Sequence, residues 1–252
     1  MKFARGDIAG ISFDYGHVLA GLDLDELHSR LGALASEFGV PAPRGTRAAL
    51  VAALPGAYVA HDGAIARGLQ HEGGWRALIA RLVDAATGEG ALDGATRERF
   101  VDALWAAQPT RNLWRAVPPE ARALLDALSR ARVPMVITSN SEGHVAELIA
   151  EVGIAHHFGT ILDSGVLGFG KPDRRMFDAA VAALGVERAR VVHIGDSEAA
   201  DIVGAQDAGL RSVRFDGFVP GAAGRPSRAD AVAMTHAELL RIVEEGLPDA
   251  SD

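Results

Sequence analysis

The stretch Ile11-Ser12-Phe13-Asp14-Tyr15-Gly16-His17-Val18-Leu19 is a short apolar run that ends in a carboxylate and breaks at once into a Gly-containing turn. In an open α/β sheet, ligands and reacting groups gather at the carboxyl ends of the strands. Asp14 therefore stands where a nucleophile or a metal ligand is useful. An Asp after a strand is also a common turn former or helix cap, so its chemistry has to be read together with the rest of the chain.

Upstream and downstream of this stretch the pattern separates two regimes. The first strand covers residues 8–14. After Leu19 the spacing becomes helical: Asp23-Leu24-Asp25-Glu26 resembles a capping box with Asp in place of Ser or Thr, and Leu24, Leu27, Leu31, Leu34 and Phe38 recur on one helical face up to Gly39. Further helices are expected over residues 46–54, 63–86 and 93–107, the middle one interrupted by Gly68 and by Gly73-Gly74 and so open to being two helices. No strand pattern occurs between residues 20 and 130. An all-helical cap over residues 23–107 is thus expected to interrupt a core made of residues 1–22 and 108–252.

Beyond it, strands and helices alternate. Pro118-Pro119-Glu120 opens a helix, and Val133-Pro134-Met135-Val136-Ile137 reads as the second strand. Ser141 is placed to cap a helix carrying Val145, Leu148 and Ile149. A strand at 160–162, a helix capped by Asp173, a buried strand at 191–194, a helix from 198 to 208 and a last strand at 211–215 follow, and Thr235 caps the C-terminal helix. The Gly- and Pro-rich segment 217–227 reads as a mobile loop. Alternation of this kind implies an α/β fold with a Rossmann-like parallel sheet and right-handed crossovers.

A chain of 252 residues can hold one large domain or two unequal ones. Its 48% hydrophobic and 23% charged content is that of a globular protein. A net charge of -8 argues against a general nucleic-acid or anionic-membrane binder, though not against a small anion held in a local positive pocket. The absence of cysteine excludes disulfides, thiolate catalysis and Cys-ligated metals. The start, Met1-Lys2-Phe3-Ala4-Arg5-Gly6-Asp7, lacks the long apolar stretch of a secretory signal, and no apolar run approaches membrane-spanning length. A cytoplasmic protein, monomeric or homodimeric, is expected. Lys2 and Lys171 are the only lysines, which makes Lys171 conspicuous.

Four strand ends carry chemistry. The first ends at Asp14 and the second at Thr138-Ser139-Asn140-Ser141. The segment after the third holds Gly170-Lys171-Pro172-Asp173, and the fourth ends in Gly195-Asp196-Ser197, with Asp201 five residues after Asp196. A parallel sheet lines these ends up on one edge. Together they suit phosphoryl transfer through an aspartyl-phosphate: a carboxylate attacks phosphorus in line, and charge on the phosphoryl oxygens must be neutralised. A hard cation such as Mg²⁺ on carboxylate and carbonyl oxygens supplies part of this. Lys171 and the Ser139 hydroxyl can supply the rest.

In these residues the chain resembles the haloacid dehalogenase-like hydrolase superfamily, in its class with a helical cap. Phe13-Asp14 with Val18-Leu19 resembles that superfamily's first motif, and Ser139-Asn140 its second. Lys171-Pro172-Asp173 resembles the third, and Gly195-Asp196-Ser197 with Asp201 and Gly204-Ala205 the fourth. The resemblance implies Asp14 as nucleophile, Ser139 and Lys171 as further catalytic residues and Asn140 as a substrate-binding residue. It implies Mg²⁺ on Asp14, the Gly16 carbonyl, Asp196 and Asp201, and phosphatase activity on a small phosphorylated metabolite, a sugar phosphate among them.

One position departs from the pattern. The first motif usually reads Asp-x-Asp, and its second Asp is the general acid/base; here the position is Gly16. A positioned general acid/base is worth ~10²–10⁴ in rate, roughly 3–5 kcal/mol of barrier. An anomeric or acyl phosphate, with a good leaving group, feels that loss least. His17 is adjacent and is a candidate to lend a proton. The rivals are a 2-haloacid dehalogenase, which has no use for a metal carboxylate at Asp196, and a non-catalytic protein that keeps the fold. Gly165–Lys171 imitates a P-loop, but Pro172 stands where Ser or Thr should hold Mg²⁺. His156-His157 resembles a metal pair without a third ligand nearby in sequence. His193, inside an apolar strand, reads as a satisfied buried histidine, and Trp75, Trp105 and Trp114 read as packing residues.

Overall fold

The computed structural model describes residues 3–69, 71–218 and 224–249. They form two compact units, one spanning Leu22–Leu113 and the other built from the chain before and after it.

The second unit carries a six-stranded sheet. Its strands are β1 (Gly10–Phe13), β2 (Met135–Ser139), β3 (Thr160–Asp163), β4 (Val191–Gly195), β5 (Arg211–Phe215) and β6 (Ala231–Ala233), in the order β3-β2-β1-β4-β5-β6. All pairs are parallel. β1, β2 and β4 are buried along their whole length, which is why they read as continuous apolar runs rather than alternating ones. In register, Phe13 stands opposite both Ile137 and Ile194, so Asp14, Asn140 and Asp196 all fall at the carboxyl edge. The sequence reading ends the sheet at β5. β6 adds a short edge strand whose three residues, Ala-Val-Ala, give no periodic signal.

Helices cover both faces, as parallel crossovers require. Ile11, Phe13, Leu124, Leu125, Ile137, Ile149 and Val192 belong to one buried cluster, Val136, Phe177, Ala180, Val191 and Ala205 to another. The helices α5 (Pro119–Arg130), α6 (Val145–Glu151), α7 (Ser164–Leu167), α8 (Arg174–Leu184), α9 (Gly204–Asp207) and α10 (His236–Gly246) belong to this unit. Ser141 does not cap α6. The Asp163 carboxylate, arriving from β3, accepts from the N–H groups of Gly143, Val145 and Gly165 at 3.1, 3.0 and 2.8 Å. Asp173 and Thr235 do cap their helices, accepting from Arg175 and Glu238. The helix expected from 198 to 208 is split: Glu198–Val203 is a π-helical turn and α-helical geometry begins only at Gly204.

The Leu22–Leu113 unit contains α1 (Leu24–Phe38), α2 (Arg47–Ala66), α3 (His71–Thr87) and α4 (Gly94–Ala107). Among the described residues it has no strand. Asp23 caps α1 through the Glu26 N–H at 2.9 Å, and Gly39 closes it at φ +68. Two boundaries differ from expectation. α2 runs through Pro55-Gly56 instead of stopping at Leu54, and of the two expected interruptions only that at Gly68 (φ +84) breaks the helix, Gly73-Gly74 lying inside α3. Gly74 lies in the first turn of α3, where a Cβ would stand 2.8–2.9 Å from His61 and Ile65 of α2, so its role is close helix packing. The stretch Arg47–Ile65 is also long and apolar enough, by length and composition, to cross a membrane, with 22% of it buried. Judging by uninterrupted apolar runs overlooks it, because Pro, Gly and His are interspersed among alanines. Core helices of globular proteins meet the same criterion.

Candidate active site

The sheet register gathers four of the chemistry-bearing residues. Lys171, on the loop after α7, reaches under the edge with its side chain 2% exposed. Its Nζ lies 2.8 Å from Asp14 Oδ1 and 2.6 Å from Asp201 Oδ1. Asp14, Asp196 and Asp201 each offer a carboxylate oxygen, and these oxygens lie within 4.8 Å of one another. The sides differ in access: Asp201 is 2% exposed, whereas Asp14 is 13% and Asp196 22% exposed, so the site opens toward the latter two.

One ammonium cannot neutralise two carboxylates, and the hydrogen bonds decide which it serves. Asp201 also accepts from the Ser197 N–H at 2.9 Å and faces His193 Nε2 at 3.1 Å. Burial alone would raise Asp201, but Lys171 and then His193 hold it below the ordinary carboxylate range. Asp14 has fewer donors. Burial pushes it up to about 7 against the pull of Lys171, and the neighbouring Asp201 and Asp196 charges add to the rise. Lys171 would be depressed by burial, yet Asp14 and Asp201 hold it above its usual value. Three carboxylates around one ammonium leave a negative excess, and all the donors are hard oxygens. This set fits a hard divalent cation such as Mg²⁺.

Buried polar groups fix these residues from behind. His193 is fully buried, as expected; burial lowers its basicity, so the ring is neutral, donates to Asp201 through Nε2 and accepts at Nδ1 from Ser12 Oγ at 3.0 Å. Ser12 meets Thr138 Oγ1 at 3.0 Å, which ties β1, β2 and β4 together under the site. Gly195 has no room for a side chain, because a Cβ there would run into the Asp201 carboxylate. On the far side, Arg214 binds Asp216, Glu198 and the carbonyls of Arg225 and Pro226, and Ser227 and the Arg228 N–H also hold Glu198. The described end of the 217–227 loop is therefore clamped to the first residue of the π-helical turn; residues 219–223 lie outside the described ones.

Ser139 is buried at the end of β2, in register with Asp163. Asn140 holds the loop that carries Lys171. Its Nδ2 donates to the Lys171 carbonyl and its Oδ1 accepts from the Lys171 N–H, both at 2.8 Å. The amide thus holds the Lys171 backbone, and Gly170 allows the approach, since a Cβ there would crowd Asn140 Oδ1.

Gly16 lies in the turn after Asp14. Its missing side chain has a neighbour: a Cβ would stand 3.3 Å from Trp114 Cδ1 and 3.6 Å from Nε1. Trp114 donates its indole N–H to His17 Nε2 at 2.7 Å, and His17 Nδ1 lies 3.3 Å from Asp196 Oδ2. Sequence reading placed Trp114 as packing alone, because nothing in its neighbourhood signals a polar role. Elsewhere, Gly165–Lys171 forms no phosphate cradle and instead starts as α7. His156 and His157 acquire a third group that the sequence did not indicate, Asp126 of α5, within 4.8 Å; His157 Nδ1 meets Ser129 Oγ at 2.8 Å.

A family model described as haloacid dehalogenase-like hydrolase matches residues 21–209. A phosphoserine phosphatase of Thermus thermophilus is 37% identical over 99 residues, which are 39% of this chain and 40% of that protein. A phosphoglycolate phosphatase of Neisseria meningitidis is 38% identical over 96 residues, 38% of this chain and 40% of that one. Each match thus spans about two fifths of the relative's length. Among solved structures, the HAD hydrolase YfnB of Bacillus subtilis, solved with magnesium bound, superposes with a TM-score of 0.63 at 19% identity over 96% of this chain and 99% of that one.

Proposed function

The chain belongs to the haloacid dehalogenase-like hydrolases, and from that premise we propose that it is a Mg²⁺-dependent phosphatase of a small phosphorylated metabolite, working in the cytoplasm through an aspartyl-phosphate on Asp14. The observation that carries this reading is the set of three carboxylates, Asp14, Asp196 and Asp201, around the buried Lys171 ammonium at one strand edge. A dehalogenase, which uses no metal, would have no role for a metal carboxylate at Asp196.

In this reading Asp14 attacks phosphorus as the carboxylate, and the alcohol or acid leaves on the opposite side. Lys171 balances charge on the phosphoryl oxygens, held at the right height by Asn140, and the Ser139 hydroxyl donates to the same oxygens. Asp14, Asp196, Asp201 and the Gly16 carbonyl would hold Mg²⁺, which supplies charge neutralisation for the phosphoryl group. Water then hydrolyses the acyl phosphate and restores Asp14. No side chain at position 16 protonates the leaving group, which favours substrates that leave well as anions, anomeric and acyl phosphates among them.

Hydrolysis of p-nitrophenyl phosphate tests this, because an aryl oxide needs little protonation. Turnover should require Mg²⁺, and Asp14→Asn should lower it by at least about 10³-fold, the scale on which nucleophile losses act. Turnover that survives EDTA or the Asp14→Asn change would overturn the reading.

A further inference from the structure

We propose that Trp114 and His17 are positioning residues that hold the Asp196 carboxylate in the orientation at which it binds its cation, and that Gly16 is the condition for that arrangement. The proposal rests on the preceding reading of Asp196 as a ligand and goes beyond it by giving position 16 a reason to be Gly.

The direction of the Trp114–His17 hydrogen bond and the 3.3 Å approach of His17 Nδ1 to Asp196 carry the argument. An indole N–H can only donate, so His17 Nε2, 2.7 Å away, presents its lone pair to Trp114. A neutral imidazole has one N–H, which then sits on Nδ1, the nitrogen 3.3 Å from Asp196 Oδ2. With Nε2 committed to Trp114 and Nδ1 turned to Asp196, His17 is poorly placed to protonate a leaving group, and the better assignment is to the carboxylate. The parts are fixed independently. Tyr15 Oη donates to the Trp114 carbonyl at 2.9 Å, and the His17 N–H donates to the Ala20 carbonyl at 2.7 Å. The His17 backbone is left-handed, at φ +57. A side chain at 16 would press on Trp114 Cδ1. Gly16 thus leaves Trp114 its place beside the turn, where a larger residue would have to displace the indole by a few tenths of an ångström.

Calorimetric titration with MgCl₂ tests the idea without any turnover. Trp114→Phe keeps an aromatic ring and removes the N–H donor together with the pyrrole part of the indole. His17→Asn keeps a residue type that accepts the left-handed backbone. Both should weaken Mg²⁺ binding by about 10–100-fold, the range for partners that orient a ligand, while the far-ultraviolet spectrum in EDTA stays native. A long-range ¹⁵N spectrum should show His17 as the Nδ1–H tautomer in the native protein and a mixture in Trp114→Phe. Unchanged Mg²⁺ affinity in both variants, or a native Nε2–H tautomer, would overturn the relay while leaving the phosphatase reading intact. A native protein that binds no Mg²⁺ would overturn both.

Discussion

His236 shows how one buried side chain ties the turn after Asp14 to the C-terminal helix and makes stability depend on pH. Its Nε2 donates to the Val18 carbonyl at 2.8 Å, and its ring lies 4.6 Å from that of Phe215. Burial lowers its basicity, against smaller opposite effects from Val18 and Glu120. The folded state therefore keeps the ring neutral, while the unfolded chain binds a proton from about pH 6.5 downward. The stabilisation is fully present above that pH and is lost as the pH falls through the lower folded value. Urea midpoints between pH 5 and 8 should show it, with a slope of at most about 1.4 kcal/mol per pH unit for one proton. His236→Gln, which keeps an N–H donor without titrating, should flatten that part of the profile. None of this is legible in the sequence, where His236 is only the second residue of a capping box. Asp14, Lys171, Asp196 and Asp201 were legible because each ends a strand or follows one at a fixed spacing. Trp114 and the use of Asn140 were not, because their partners lie far away in the chain.

Between elements, Asp163 joins β3 to the starts of α6 and α7. Asp163→Ala would strip three backbone N–H groups of their acceptor. With each orphaned group costing about 1–3 kcal/mol when buried and water relieving part of that, a loss of about 3 kcal/mol in urea unfolding is expected. Gly204, at the start of α9, is a contact of a different kind. A Cβ there would lie 3.0 Å from Phe177 Cε2 and from Pro172, next to Lys171. Gly204→Val should therefore shift the Lys171 loop and lower kcat for an aryl phosphate at least about 10-fold, since small misplacements of a charge-bearing group are costly. The far-ultraviolet spectrum should remain native. The elements that sequence reading recovered, β1 to β5 and the helical insertion, are those whose burial imposes a period or an apolar run. Those it missed are short or irregular: β6 and α7 are too brief for a period, Pro55 stays inside α2, and the π-helical turn spends one more residue than an α-turn would.

For the molecule as a whole, the converging carboxylates are a property of the folded chain alone, since the loops that carry them are up to 187 positions apart, from Asp14 to Asp201. A cation that binds them stabilises by mass action: at a hundred times its dissociation constant the gain is about 2.7 kcal/mol. At roughly 2–4 °C per kcal/mol for a protein of this size, Mg²⁺ should raise the transition that melts the sheet by about 5–10 °C over EDTA. Asp196→Asn should abolish most of that shift. The central place of β1 has a consequence for biosynthesis. β1 leaves the ribosome first, yet its two neighbours are β2, from Met135, and β4, from Val191. At about 5–20 residues per second, the nascent strand waits roughly 10–40 s for its second partner. The helical Leu22–Leu113 unit is translated during that interval and can fold on local contacts. The strand that ends in Asp14 is thus made well before either of its partners, and a cell that translates this chain must keep a bare apolar edge out of trouble until β4 arrives.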